Sequence, residues 1–127
     1  DRRACQNGGD VWPCALCLGL AKQIRGVLNM YVSNWTFRPA PGKHAEVIEN
    51  SKKMAEFWKK YGANECHLMN LQGADVGSMS FVAMFDNAEG YGKANDALVA
   101  DPEVQAILAT VTSSGDWVRH NLARAIF

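Results

Sequence analysis

Residues 30–62 read MYVSNWTFRPAPGKHAEVIENSKKMAEFWKKYG, and the fold turns on this stretch. Met30 to Arg38 is rich in aromatic and β-branched residues, which fit a pleated strand. Alternation puts Tyr31, Ser33, Trp35 and Phe37 on one side and Val32, Asn34, Thr36 and Arg38 on the other. Pro39-Ala40-Pro41-Gly42 ends the strand, because proline donates nothing to a ladder and Pro41 suits a helix start. From Lys43 to Tyr61 the period changes: His44, Val47, Ile48, Ser51, Met54, Ala55, Trp58 and Tyr61 recur at steps of three and four as one mostly apolar stripe. Lys, Glu and Asn50 cover the remainder, and Glu49 with Lys53 and Glu56 with Lys60 each add ~0.3 kcal/mol. Gly62 is suited to the left-handed residue that closes a helix.

Beyond it, Asn64 to Gln72 alternates as a second strand, Gly73 to Gly77 is a turn, and Ser78 to Asp86 is a third strand. Met79, Phe81, Ala83 and Phe85 face one way, with Ser78, Ser80, Val82 and Met84 opposite. The short turn makes strands two and three an antiparallel hairpin. Asn87 caps a second helix, Ala88 to Val99, which Gly90 and Gly92, at roughly 1 kcal/mol each, leave irregular or frayed. Asp101-Pro102-Glu103 restarts it with a cap, a proline at the first helical position and an acid in the first turn. After Ser113 to Asp116, residues 117–126 suit an edge strand by alternation, with Val118, His120, Leu122, Arg124 and Ile126 on one side. Propensity fits a helix there equally well.

Strand, helix, strand, strand, helix, strand is the ferredoxin-like βαββαβ order. It is an α+β architecture with two helices on one face of a four-stranded antiparallel sheet. The second face would then carry large apolar groups of strands one and three, and a second copy packed sheet to sheet would cover them. Phe37-Arg38-Pro39-Ala40-Pro41-Gly42-Lys43-His44 opening a helix, the third strand ending Met84-Phe85-Asp86, and the split second helix with Asp101-Pro102-Glu103 resemble the dimeric α/β-barrel superfamily. That group includes NIPSNAP-like and antibiotic-biosynthesis-monooxygenase-like domains. The resemblance spans 30–127 and implies a homodimeric α/β-barrel with a small pocket between sheet and helices in each subunit. It also implies a choice among cofactor-free oxygenation of aromatic compounds, haem chemistry, and isomerisation or decarboxylation, in a group where many members have no assigned activity.

Composition narrows the classes. The chain has 127 residues with 13 Lys+Arg and 13 Asp+Glu, so no basic field points to nucleic acid or an anionic membrane. No apolar run approaches the ~18 residues of a membrane span, and no cleavage site follows the short apolar stretch Ala15 to Ala21. A cytoplasmic location is expected. Residues 1–29 read as an N-terminal extension, with Met30 the natural start of the domain. Cys14-x-x-Cys17 lacks the preceding strand of a redox motif, and a zinc site would need Cys5 plus ligands of the main domain, so no metal site is assigned.

Chemistry then falls to few residues. If the protein is an enzyme, His67 on the second strand is the candidate general base or polar anchor, with Asn34 assisting. Trp35, Met54, Trp58, Phe81 and Phe85 are candidate walls for a small hydrophobic ligand, with His120 beside them. The bland alternative assigns the apolar set to core or interface and the histidines to structural hydrogen bonds, giving a non-catalytic binding or assembly module. A haem-binding protein with His67 or His120 as ligand is the third possibility. No cofactor is otherwise assigned, and the expected partners are a second copy and the hydrophobic ligand.

Overall fold

The computed structural model describes residues 30–127. The extension and the Cys14–Cys17 pair lie outside the described residues. The elements are β1 (Tyr31–Pro39), α1 (His44–Lys60), β2 (Glu65–Asn70), a 3-10 turn (Gly73–Asp75), β3 (Met79–Phe85), α2 (Ala88–Ala100), α3 (Pro102–Thr112) and β4 (Gly115–Arg124). The four strands form one sheet of order β2-β3-β1-β4, with every neighbouring pair antiparallel. This is the ferredoxin-like arrangement, with the second helix broken in two.

That break has a local cause. Asp101 ends α2 in an extended conformation, its side chain accepts the Glu103 amide, and Pro102 opens α3. Tyr61, just past α1, donates its hydroxyl to the Asp101 carboxylate at 2.6 Å, tying the end of one helix to the start of another. The shared proton raises the tyrosine pKa and lowers that of Asp101.

α2 is a regular helix, against the expectation of fraying. Gly90 lies in its first turn, where its amide is accepted by the Asn87 side chain at 2.8 Å. Ala94 and Leu98 bury the other end, so packing outweighs the glycine cost. In α1 the buried line is Val47, Asn50, Met54 and Trp58. Asn50 therefore points in, while His44 and Ile48 of the expected stripe turn outward.

The helices pack on the face holding Tyr31, Trp35, Phe81 and Phe85, around a core of Met54, Trp58, Ala83, Phe85, Ala94, Leu98 and Val104. A second cluster joins Phe37, Val47, Met79 and Val111. The expectation of large apolar groups on the other face is corrected here, because the aromatics of β1 and β3 all turn toward the helices. The register groups Val32 with Met84 and Ala123, Asn34 with Val82, Asn121 and His67, and Thr36 with Ser80 and Arg119 on the second face. That face is mixed: Ser80 donates to Asn34 Oδ1 at 2.7 Å, and Arg38 donates to Ser78 at 3.3 Å.

Residues 115–124 form a strand, and a bulge changes its alternation. Thr36 pairs with Arg119 and Phe37 with Trp117, so Val118 is the extra residue. Trp117 is thereby brought to the side of His120, where its ring meets Phe37 edge-on at 4.9 Å. Where β4 begins, a Cβ on Gly115 would collide with the Arg38 carbonyl oxygen and stand 2.9 Å from the Phe37 ring, so this approach of β4 to β1 requires glycine.

Candidate functional site

An apolar cavity of about 150 Å³ lies between the sheet and the three helices. β1 and β3 supply Trp35 and Phe81, α1 supplies Met54 and Trp58, and α2 and α3 supply Leu98, Val104 and Leu108. Trp35 has its ring centre 5.1 Å from that of Trp58 and 6.0 Å from that of Phe81, distances of mutual aromatic contact. Ser51, Asn95 and Gln105 contribute the polar atoms, and among the described residues no acid, lysine, arginine, histidine or cysteine lines the cavity. Such a space selects by shape and apolarity. A space of ~150 Å³ walled largely by apolar side chains accepts a molecule of benzene size.

Four of the wall residues expected from the sequence, Trp35, Met54, Trp58 and Phe81, meet here. Phe85 does not line the space. It is fully buried and packs edge-on against Trp58 at 5.6 Å and Tyr91 at 5.5 Å, as core. His120 lies outside the cavity, stacked on Trp35 from the β4 side with ring centres 4.5 Å apart and planes within 4°. Its Nε2 shares a 2.7 Å hydrogen bond with the hydroxyl of Ser33, which is fully buried. Partial burial pushes the imidazole pKa down and favours the neutral ring. Ser33 is the residue the sequence hid; its only signal was sharing a strand face with Trp35.

The structure places His67 and Asn34 away from the inner cavity, although His67 lines a second cleft between α1 and β2. Both lie on the second face, separated across the sheet by Val82. His67 is exposed and pairs with Glu65 at 3.1 Å, and Asn34 accepts the Ser80 hydroxyl. Neither side chain belongs to the cavity wall. The two histidines also occupy opposite faces, so they do not form one ligand set for haem. Among the described residues no three His, Cys, Asp or Glu side chains gather as a metal site. No described helix is long and apolar enough to cross a membrane.

No family model and no curated protein matches the chain. Solved structures do. A variant of SnoaB, a cofactor-independent oxygenase from Streptomyces nogalater, is 16% identical over 76% of this chain and 93% of its own, with a TM-score of 0.61. A NIPSNAP family protein of unknown function from Agrobacterium tumefaciens is 13% identical over 76% and 88%, with a TM-score of 0.63. An antibiotic biosynthesis monooxygenase, so described provisionally, from Chloroflexus aurantiacus is 16% identical over 76% and 92%, with a TM-score of 0.56. At such identities the likeness is one of fold, and function has to be argued from the site. By its strand order, its register and these neighbours, the chain has the ferredoxin-like α+β fold found in antibiotic-biosynthesis-monooxygenase-like and NIPSNAP-like proteins.

Proposed function

We propose that this protein binds a small hydrophobic molecule between its sheet and helices and works as a homodimer. The observation that carries the proposal is the aromatic-walled cavity beneath three helices. Among the described residues its walls carry no titratable group, which favours binding over proton transfer. Indole, benzene or a similar single-ring probe should raise the melting temperature of the purified protein, and Leu108→Trp, which fills the space, should abolish the shift. A folded wild type that no apolar probe stabilises would defeat the proposal.

A second reading adds cofactor-free oxygenation or isomerisation of the bound molecule. It is supported by the fold shared with SnoaB, itself a cofactor-independent oxygenase. It expects oxygen uptake or product formation with an oxidisable aromatic compound and no added cofactor, and a complete absence of turnover leaves the binding role alone.

The homodimer draws its support from β4. Trp117, Val118 and Leu122 are 45%, 36% and 48% exposed on this edge strand, and Ile126 and Phe127 beyond it more so. A second copy is the simplest cover for them. A cytoplasmic location belongs to the same proposal.

A further inference from the structure

We propose that the ligand is an apolar acid spanning two adjoining spaces, its ring-sized end in the inner cavity and its carboxylate outside, between α1 and the edge strand β2, beside Lys52. This rests on the inner cavity taking a hydrophobic ligand. A second cleft of about 360 Å³ runs between α1 and β2. It shares Ser51, Leu68, Met79 and Phe81 with the inner cavity, so those side chains stand between the two spaces.

The helix explains the junction. Val47, Met54 and Trp58 line the inner space, whereas Ile48, Lys52 and Ala55 line the outer one. Ser51 lies on the seam between these stripes and is only half-buried, so a small side chain stands where leucine would close the gap. The outward turn of Ile48 follows from the same rotation of α1. On the far wall, β2 is the end strand of the sheet, with no strand paired to its outer edge among the described residues.

Size and charge select the occupant. The inner cavity alone holds one ring, whereas typical small-molecule sites run to ~300–1,000 Å³, a range reached only with the outer cleft. Among the described residues lining that cleft, Lys52 is the one side chain with a permanent charge and no carboxylate is present; His67 also lines it, but is engaged with Glu65 at 3.1 Å. Lys52 currently meets Glu49 at 3.1 Å, with both side chains about two-thirds exposed. Solvent-exposed pairs of this kind hold weakly, so the ammonium is free to exchange partners.

Calorimetric titration with benzene, 4-phenylbutanoate and 4-phenylbutanamide tests the idea. The acid should bind about five-fold more tightly than the amide, the scale of one partly exposed ion pair. Lys52→Met should erase that preference and leave benzene binding unchanged. Ser51→Leu should weaken the acid far more than benzene; if that variant misfolds, Leu68→Trp closes the same gap from β2. Equal affinities for acid and amide, a preference that survives Lys52→Met, or an acid indifferent to a sealed gap would each overturn the proposal while benzene binding leaves the inner cavity standing. Failure of benzene itself in the wild type would instead remove the cavity reading on which both depend.

Discussion

His120 is held on two sides, its ring flat on Trp35 and its Nε2 against the buried Ser33 hydroxyl. Its folded-state pKa lies below the ordinary value of 6.5 because burial penalises the charged ring. The unfolded chain therefore takes up a proton first as pH falls. The stability owed to the neutral ring is complete above about pH 6.5 and is lost as pH drops through the lowered folded value. The melting temperature should fall across that window, and His120→Gln, which keeps a hydrogen-bonding group for Ser33, should flatten the slope. Cys66, half-buried under α1, has its thiol pushed up to about 11, by burial first and by Glu56 in small part, against the pull of Lys59. At pH 8 it should alkylate about 100-fold more slowly than a thiol of pKa 9, as followed by peptide mass spectrometry. Trp35, Met54, Trp58 and Phe81 were legible as cavity walls because large apolar residues on matching strand and helix periods must converge. His67 and Asn34 were not. Which face of a sheet receives the helices depends on which set of side chains is larger, and the aromatics of β1 and β3 decide that against both residues.

Elements register such competition more plainly. α1 was legible within a residue at each end, since strand-stopping prolines, a three-and-four repeat and Gly62 all agree. α2 was misjudged because propensity counts the glycines and omits what Asn87 and the core return. Asn87→Ala should cost about 1 kcal/mol in urea unfolding by removing the acceptor of the Gly90 amide. β4 stood between two readings because its pairing partner, β1, lies some 80 residues earlier. The bulge at Val118 is invisible locally, since it exists only in relation to Phe37 and Thr36. Gly115→Ala should destabilise by about 1–3 kcal/mol, because the Arg38 carbonyl and the Phe37 ring leave no room for a methyl group. The same change at Gly92, with open space around it, should be neutral or stabilising.

At the scale of the whole molecule, the strand order followed from the sequence through the βαββαβ rule, whereas assembly did not. A second copy was inferred from a sheet face that proves mixed in character, whereas exposed apolar side chains cluster along β4 and the residues after it, with others scattered at Ile48, Met69, Val76 and Val99. Sedimentation should show a dimer at micromolar concentration, and Leu122→Lys should shift it to monomer without lowering helix content in circular dichroism. Trp35 belongs to two neighbourhoods, forming cavity wall toward Phe81 and Trp58 and a platform for the imidazole toward β4. A guest on one flank and a proton on the other would both press on a single indole, and the proposed binding would then be thermodynamically linked to the titration of His120. Whatever factor a guest imposes on the proton affinity of His120, acidity imposes in return on the affinity for the guest.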